Sequence, residues 1–177
     1  MQTRHRQRGV TLVESAIVTV VLAVLATTAA PGMQSLLETR RVDGVANQLA
    51  TDIQFARSEA VARNAPVRLS IHAGTNASCY VIQTGLAAQC TCAAPGPASC
   101  TGGATQIKTV ILPADQNVSL QANSASLLFD PLHGTATPTG TLRVLGTRGR
   151  AVHHIVNVMG RVRSCSPLNT VPGYRAC

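Results

Sequence analysis

From Ser15 to Leu37 the chain runs for 23 residues without a single charged side chain. A stretch of that length approaches the roughly 20 residues a helix needs to cross a bilayer. It therefore marks the N-terminal part of the 177-residue chain as a membrane span or a cleaved signal. Arg4, Arg6 and Arg8 precede it, and positive residues next to an apolar helix stay on the cytoplasmic side, which sends the C-terminal domain outside. Thr28-Ala29-Ala30 offers a small-residue site that an ordinary signal peptidase would accept. Neither a plain anchor nor a secretory signal accounts for Glu14, since a carboxylate at the centre of a membrane helix costs about 2.5–3.5 kcal/mol and marks function by default.

The apolar face then continues in another form. Val42, Val45, Leu49, Ile53, Ala56 and Ala60 recur at three- and four-residue steps, the spacing of one helix face. Asp43, Gln48, Asp52, Glu59 and Arg63 are assigned to the remaining positions, and Asn64-Ala65-Pro66 supplies the stop. A helix kinked near Pro31-Gly32 is expected, its second half packing on a globular domain. Beyond it the texture changes to short runs rich in branched residues between Gly, Pro, Asn and Asp. Seven strands are expected: Val67–His72, Cys79–Gln83, Ile107–Leu112, Val118–Gln121, Ser126–Phe129, Thr141–Leu145 and Val152–Val158. The segment 84–106 is too long for an ordinary turn. Phe55, Tyr80, Phe129 and Tyr174 are the whole aromatic complement, so the core must be built from Val, Leu, Ile and Ala.

All six cysteines, Cys79, Cys90, Cys92, Cys100, Cys165 and Cys177, fall in the β-rich part. An even number in one region suggests disulfides and an oxidising compartment. Cys165–Cys177 is the expected bridge, closing the C-terminal tail; Cys90 and Cys92 are not expected to bond to each other, because a one-residue loop strains the geometry. The other pairings stay open, as do free thiols. A zinc site from Cys79, Cys90, Cys92 and Cys100 fits no common ligand spacing, and neither metal nor cofactor is expected.

The formal charge is +8, and its placement matters more than its size. From Pro131 onward there are Arg143, Arg148, Arg150, Arg161, Arg163 and Arg175 and no Asp or Glu. Arg161 and Arg163, two apart, share one side of an extended segment, and Gly160 before them permits a turn. Arginine forks suit phosphate. A solvated basic face or a contact with neighbouring subunits remains the alternative. Catalysis is not expected: no phosphate loop, metal box or nucleophile elbow is present, and His153 and His154 are adjacent and so face opposite sides of a strand.

Arg8-Gly9-Val10-Thr11-Leu12-Val13-Glu14 closely resembles the class III signal of type IV pilins and pseudopilins. That resemblance implies cleavage after Gly9 by a prepilin peptidase on the cytoplasmic side and methylation of Val10. It also implies a role for Glu14 in subunit assembly, where the amine of one subunit neutralises the carboxylate of its neighbour. Val10 stands where Phe or Met is commoner. Leu49-Ala50-Thr51-Asp52-Ile53-Gln54-Phe55-Ala56-Arg57-Ser58-Glu59-Ala60, Phe129-Asp130-Pro131 with Gly134, Gly140-Thr141-Leu142, and Gly160-Arg161-Val162-Arg163-Ser164-Cys165 resemble the FimT/GspH family of minor pilins and pseudopilins, the FimT branch above all. The resemblance covers most of the chain except 74–106.

The fold implied is α+β and pilin-like, with an antiparallel β-rich head. Residues 1–9 are expected as leader, 10–35 as membrane and polymerisation helix, and 36–177 as periplasmic head, with its amphipathic helix at 36–64 and its sheet region at 67–177. In the FimT branch a C-terminal Gly-Arg-x-Arg motif is associated with DNA binding during natural transformation. The matching residues are Gly160, Arg161 and Arg163, with Arg143, Arg148, Arg150 and Arg175 as candidates for the same surface. Expected partners are other pilins, the peptidase, the inner membrane and DNA gripped through phosphates with weak sequence preference. A GspH-like pseudopilin of a type II secretion system is the nearest rival. A periplasmic binding protein released by ordinary signal peptidase is the more distant one, and a mature start at Pro31 would select it.

Overall fold

A computed structural model describes residues 11–74, 77–92 and 96–177, with the Pro31 side chain excepted. Gly9 and Val10, and the leader arginines Arg4, Arg6 and Arg8, lie outside the described residues. Helix α1 runs Leu12–Arg63. The chain divides into two compact units between Leu37 and Glu38.

In the first unit α1 begins beside Thr11, whose hydroxyl accepts the amide hydrogen of Glu14 at 3.3 Å. Glu14 occupies the first turn, where a carboxylate also faces the positive end of the helix dipole. The most apolar 18-residue window of α1 has a mean hydropathy of 2.1, and none of it is buried. Thr19, Thr27 and Thr28 turn their hydroxyls back onto helix carbonyls one turn earlier, so these side chains leave no unsatisfied donor on the apolar surface.

In the second unit α1 lays Val42, Ala46, Leu49, Ile53, Ala56 and Ala60 into the core, all fully buried. Three of these are alanines, which let the sheets approach the helix closely. The helix stops at the expected signal: Asn64 adopts φ 48°, and the Ala65 amide closes back on the Ala60 carbonyl at 3.2 Å.

Among the described residues the head carries twelve strands in chain order: β1 Val67–Ala73, β2 Ala77–Gln83, β3 Cys90–Thr91, β4 Ser99–Cys100, β5 Gln106–Pro113, β6 Val118–Ala122, β7 Ser126–Phe129, β8 Ala136–Thr137, β9 Gly140–Gly146, β10 Ala151–Val156, β11 Val162–Ser166 and β12 Arg175–Ala176. They form a sheet of order β5-β2-β1-β7-β8, a second of order β12-β11-β10-β9-β6, and the small β3-β4 pair. All pairings are antiparallel except β11 with β12. The seven expected strands are present. The last of them ends at Val156 instead of Val158, because the chain must turn there; β3, β4, β8, β11 and β12 are additions to the expected set.

Strand β2 is covered on both sides. Tyr80 and Ile82 enter the main core, while Cys79 on the opposite face bonds to Cys92. Cys90–Cys100 staples the β3-β4 pair across its own register, and Cys165 bonds to Cys177. The described parts of the long segment, 84–92 and 96–106, are thus crosslinked to each other and to the back of the first sheet. They are fastened further by Gln83 Nε2 donating to the Leu86 carbonyl at 2.8 Å.

Asp52 does not lie on the polar side of α1, as its sequence context suggests. It is 2% exposed, accepting from the Tyr80 hydroxyl at 2.7 Å and from Lys108 Nζ at 2.6 Å. Burial first, and Asp52 second, push the Tyr80 phenol well above its ordinary value.

Candidate functional site

The register of the second sheet decides which arginines meet. Arg143 on β9 lies opposite His153 on β10, His153 opposite Cys165 on β11, and Cys165 opposite Arg175 on β12. Residues paired across a sheet share a face, so these four form one transverse row. On the same strands Leu142, Val144, Val152, His154 and Val156 are buried, which fixes the row on the outward side. Arg163, two residues before Cys165, shares that side and pairs with Ile155. Arg161 stands just before β11 and is exposed. Arg143, Arg161, Arg163 and Arg175 are all exposed, and among the described residues their guanidinium groups meet no carboxylate within ion-pair distance.

Arg148 and Arg150 do not belong to this group. Sequence distance suggests that nothing neutralises them, but Glu38 of α1 does. Its Oε2 lies 3.7 Å from Arg148 Nε and 3.7 Å from Arg150 Nη1. Its Oε1 accepts the Arg148 amide at 2.8 Å. Arg150 Nε further donates to the Thr39 hydroxyl at 2.6 Å. These two arginines fasten the β9–β10 turn to the helix. The exposed basic face is therefore smaller than expected, and it is more concentrated.

Gly160 has a structural reason to be glycine. It sits at φ +68°, and a Cβ there would come within 2.6 Å of the Gly134 carbonyl oxygen. Its amide donates to the Asn157 carbonyl at 2.9 Å, and the Arg161 amide donates to Asn157 Oδ1 at 2.9 Å. This turn sets where Arg161 leaves the body of the head. Arg57 of α1 braces it by donating from Nε to the Gly134 carbonyl at 2.8 Å. Three separated sequence segments, around Arg57, Gly134 and Gly160, thus converge. In the sequence Arg57 and Gly134 stand out only as motif letters, and nothing in their spacing says that they touch. Gly160→Ala is expected to cost about 2 kcal/mol, from the left-handed backbone together with the collision. Thermal unfolding of the variant checks this.

His153 lies between Arg143 and the tail, and its Nδ1 is 3.8 Å from Cys177 Sγ. Partial desolvation first, and the Arg143 charge second, hold its pKa below the ordinary imidazole value. The positive charge of the face at neutral pH therefore comes from arginine alone. Among the described residues no three His, Cys, Asp or Glu side chains are grouped to hold a metal ion. The remaining anchor-side candidate, Glu14, is exposed in the first unit.

A long N-terminal helix packed on antiparallel sheets, with an apolar first half, defines a pilin-like protein. Residues 45–160 match the family described as type II transport protein GspH, and residues 4–30 match the prokaryotic N-terminal methylation motif. The chain belongs to the GspH family of minor pilins and pseudopilins, which are structural subunits. Among solved structures it is similar to the type IV minor pilin FimU of Pseudomonas aeruginosa in space group P21, with a TM-score of 0.55 at 17% identity, covering 75% of this chain and 96% of that one. The P65 form of FimU gives 0.50 at 16% identity, covering 71% and 96%. At such identities the likeness shows the fold alone. No curated protein matches. The apolar helix and the methylation motif point to membrane anchoring, and the family implies association with other pilins in a filament. The family match ends at Gly160, so Arg161, Arg163 and Arg175 lie beyond it.

Proposed function

We propose that this chain is a minor pilin of the FimT type, entering a type IV pilus and gripping DNA by its phosphates for uptake. Prepilin peptidase cleaves between Gly9 and Val10, Val10 is methylated, and the head faces the periplasm from the inner membrane. Glu14 answers the free amine of an adjoining subunit. The observation that carries the DNA reading is the outward face of β9–β12, where Arg143, Arg161, Arg163 and Arg175 are exposed, with no carboxylate paired to them among the described residues. Such a face suits backbone contact. Phe55, Tyr80 and Phe129 lie on the helix and the first sheet, and Tyr174 turns its hydroxyl to Asp43 of α1, so none of the four aromatics offers this face a stacking platform and affinity is led by counterion release.

Removing both Arg161 and Arg163 should lower the slope of log affinity against log salt by roughly two units. A mobility-shift titration of the full chain in detergent against a short duplex reads this, and unchanged affinity in the double variant rejects the assignment. The GspH match over 45–160 favours a second reading, a minor pseudopilin at the tip of a type II secretion filament. That reading predicts no duplex binding by the native chain and no effect of the arginine pair.

A further inference from the structure

The C-terminal tail returns to the sheet and makes a cleft. Strand β12 lies parallel to β11 with Arg175 opposite Cys165, and the Cys165–Cys177 bridge holds it there. The tail is also pinned through Tyr174, whose hydroxyl donates to Asp43 Oδ1 of α1 at 2.9 Å. Between Ile155, Arg163 and Ser164 on one side and Arg175 and Cys177 on the other opens a cleft of about 420 Å³. Among the described residues no carboxylate side chain lines it. Arg163 and Arg175 lie on neighbouring strands, offset by two residues, and both face outward. With about 3.3 Å rise per residue and about 4.8 Å between strands, their Cα atoms are ~8 Å apart. Side chains as long as arginine span that gap from both ends, so both forks can close on one tetrahedral oxyanion. Arg143 is farther along the face, beyond β10, and does not line the cleft.

We propose that this cleft is a seat for a single phosphate group, monoester or diester, held between Arg163 and Arg175 and assembled by the Cys165–Cys177 bridge. The proposal deepens the phosphate-gripping role of the arginine face and rests on that reading for its biological ligand, but the seat itself is testable without DNA. The bridge is a positioning element: it touches no ligand, and without it β12 is held by a two-residue ladder and the Tyr174 hydroxyl. Arg175 then no longer faces Arg163.

The test titrates inorganic phosphate, and separately a short duplex, into the full chain in detergent micelles, with amide NMR shifts of β11 and β12 as the readout. Native protein is expected to show saturable phosphate shifts at those strands. Arg163→Ala and Arg175→Ala should each weaken phosphate about tenfold, the loss of one charge-assisted pair. Cys165→Ser with Cys177→Ser should weaken it to a similar extent although both arginines remain. Arg143→Ala should leave phosphate unchanged while lowering the duplex salt slope by about one unit. The seat is overturned if native protein shows no saturable shift, if Arg175→Ala binds phosphate as the native chain does, or if the bridgeless variant does. A chain that seats phosphate but ignores the duplex sinks the DNA reading and leaves the seat standing. A chain that binds duplex but whose Arg175→Ala variant shows no loss of phosphate binding sinks the seat alone.

Discussion

Asp52→Ala will lower the unfolding free energy of the head by about 3 kcal/mol, the low end of what breaking a buried ion pair costs. Asp52 is nearly inaccessible and takes two hydrogen bonds, from the Tyr80 hydroxyl and the Lys108 ammonium. Truncation removes the acceptor of the Tyr80 hydroxyl, on a residue that is only 1% exposed. Lys108 is less of a liability, because its side chain is 39% exposed and can turn to solvent, which keeps the cost at the low end. Asp52→Asn keeps an acceptor for Tyr80 and loses only the charge, so it should cost about 1 kcal/mol. Urea unfolding followed by circular dichroism separates the two variants. If Asp52→Ala costs no more than Asp52→Asn, the stranded hydroxyl is not what the residue prevents.

Acid will weaken the head through His154 before most carboxylates titrate. This ring is fully buried beneath α1, with Nδ1 2.8 Å from the Ser164 hydroxyl. Its pKa is lowered to about 4, by burial above all and by the neighbouring His153 as well, against a raising contribution from the Ala46 backbone. Above the unfolded value of about 6.5 the ring is neutral in both states and costs nothing. As pH falls below that, the unfolded chain takes a proton that the folded chain refuses, so stability drops until the folded ring titrates near pH 4. At 1.36 kcal/mol per unit the loss over that window is roughly 3 kcal/mol. His154→Gln should flatten this part of the profile while keeping a polar partner for Ser164. The difference between native and variant urea midpoints at pH 7 and pH 4.5 isolates it from the carboxylates, which are common to both. Parallel profiles for the two proteins would show that His154 is not the group responsible.

The helix is legible in the sequence because its information is local. Leu49, Ile53, Ala56 and Ala60 repeat at the helical period, and Asn64-Ala65-Pro66 can end a helix without help from anything distant. The longer strands are legible for the same reason, since Val67–Ala73 and Gly140–Gly146 alternate or cluster branched residues by themselves. Strand β11 reads Val-Arg-Ser-Cys-Ser and carries no such pattern. Pairing with β10 and the bridge to Cys177 make it a strand, and neither is written within it. Asp52 and Glu38 escape a sequence reading on the same ground: their partners, Lys108 and the Arg148–Arg150 pair, lie 56 residues away or more in sequence. The arginine set is readable as a composition, but its division into an exposed group and a neutralised one requires the register of β9, β10 and β11. Arg57 shows the limit most clearly. Its neighbours Gly134 and Gly160 lie in two other segments, and only folding brings the three together.

The polar contacts that α1 makes with the head have a mechanical consequence. They are spread along the helix at Glu38, Asp43, Asp52 and Arg57, and each reaches a different part of the chain: the β9–β10 turn, the C-terminal tail, strands β2 and β5, and the loop holding Gly134. A pull delivered along the helix axis loads these anchorages side by side, in shear, instead of peeling them one after another. Rupture of any one leaves the others bearing the tension, so the head is built to stay attached to a helix under traction.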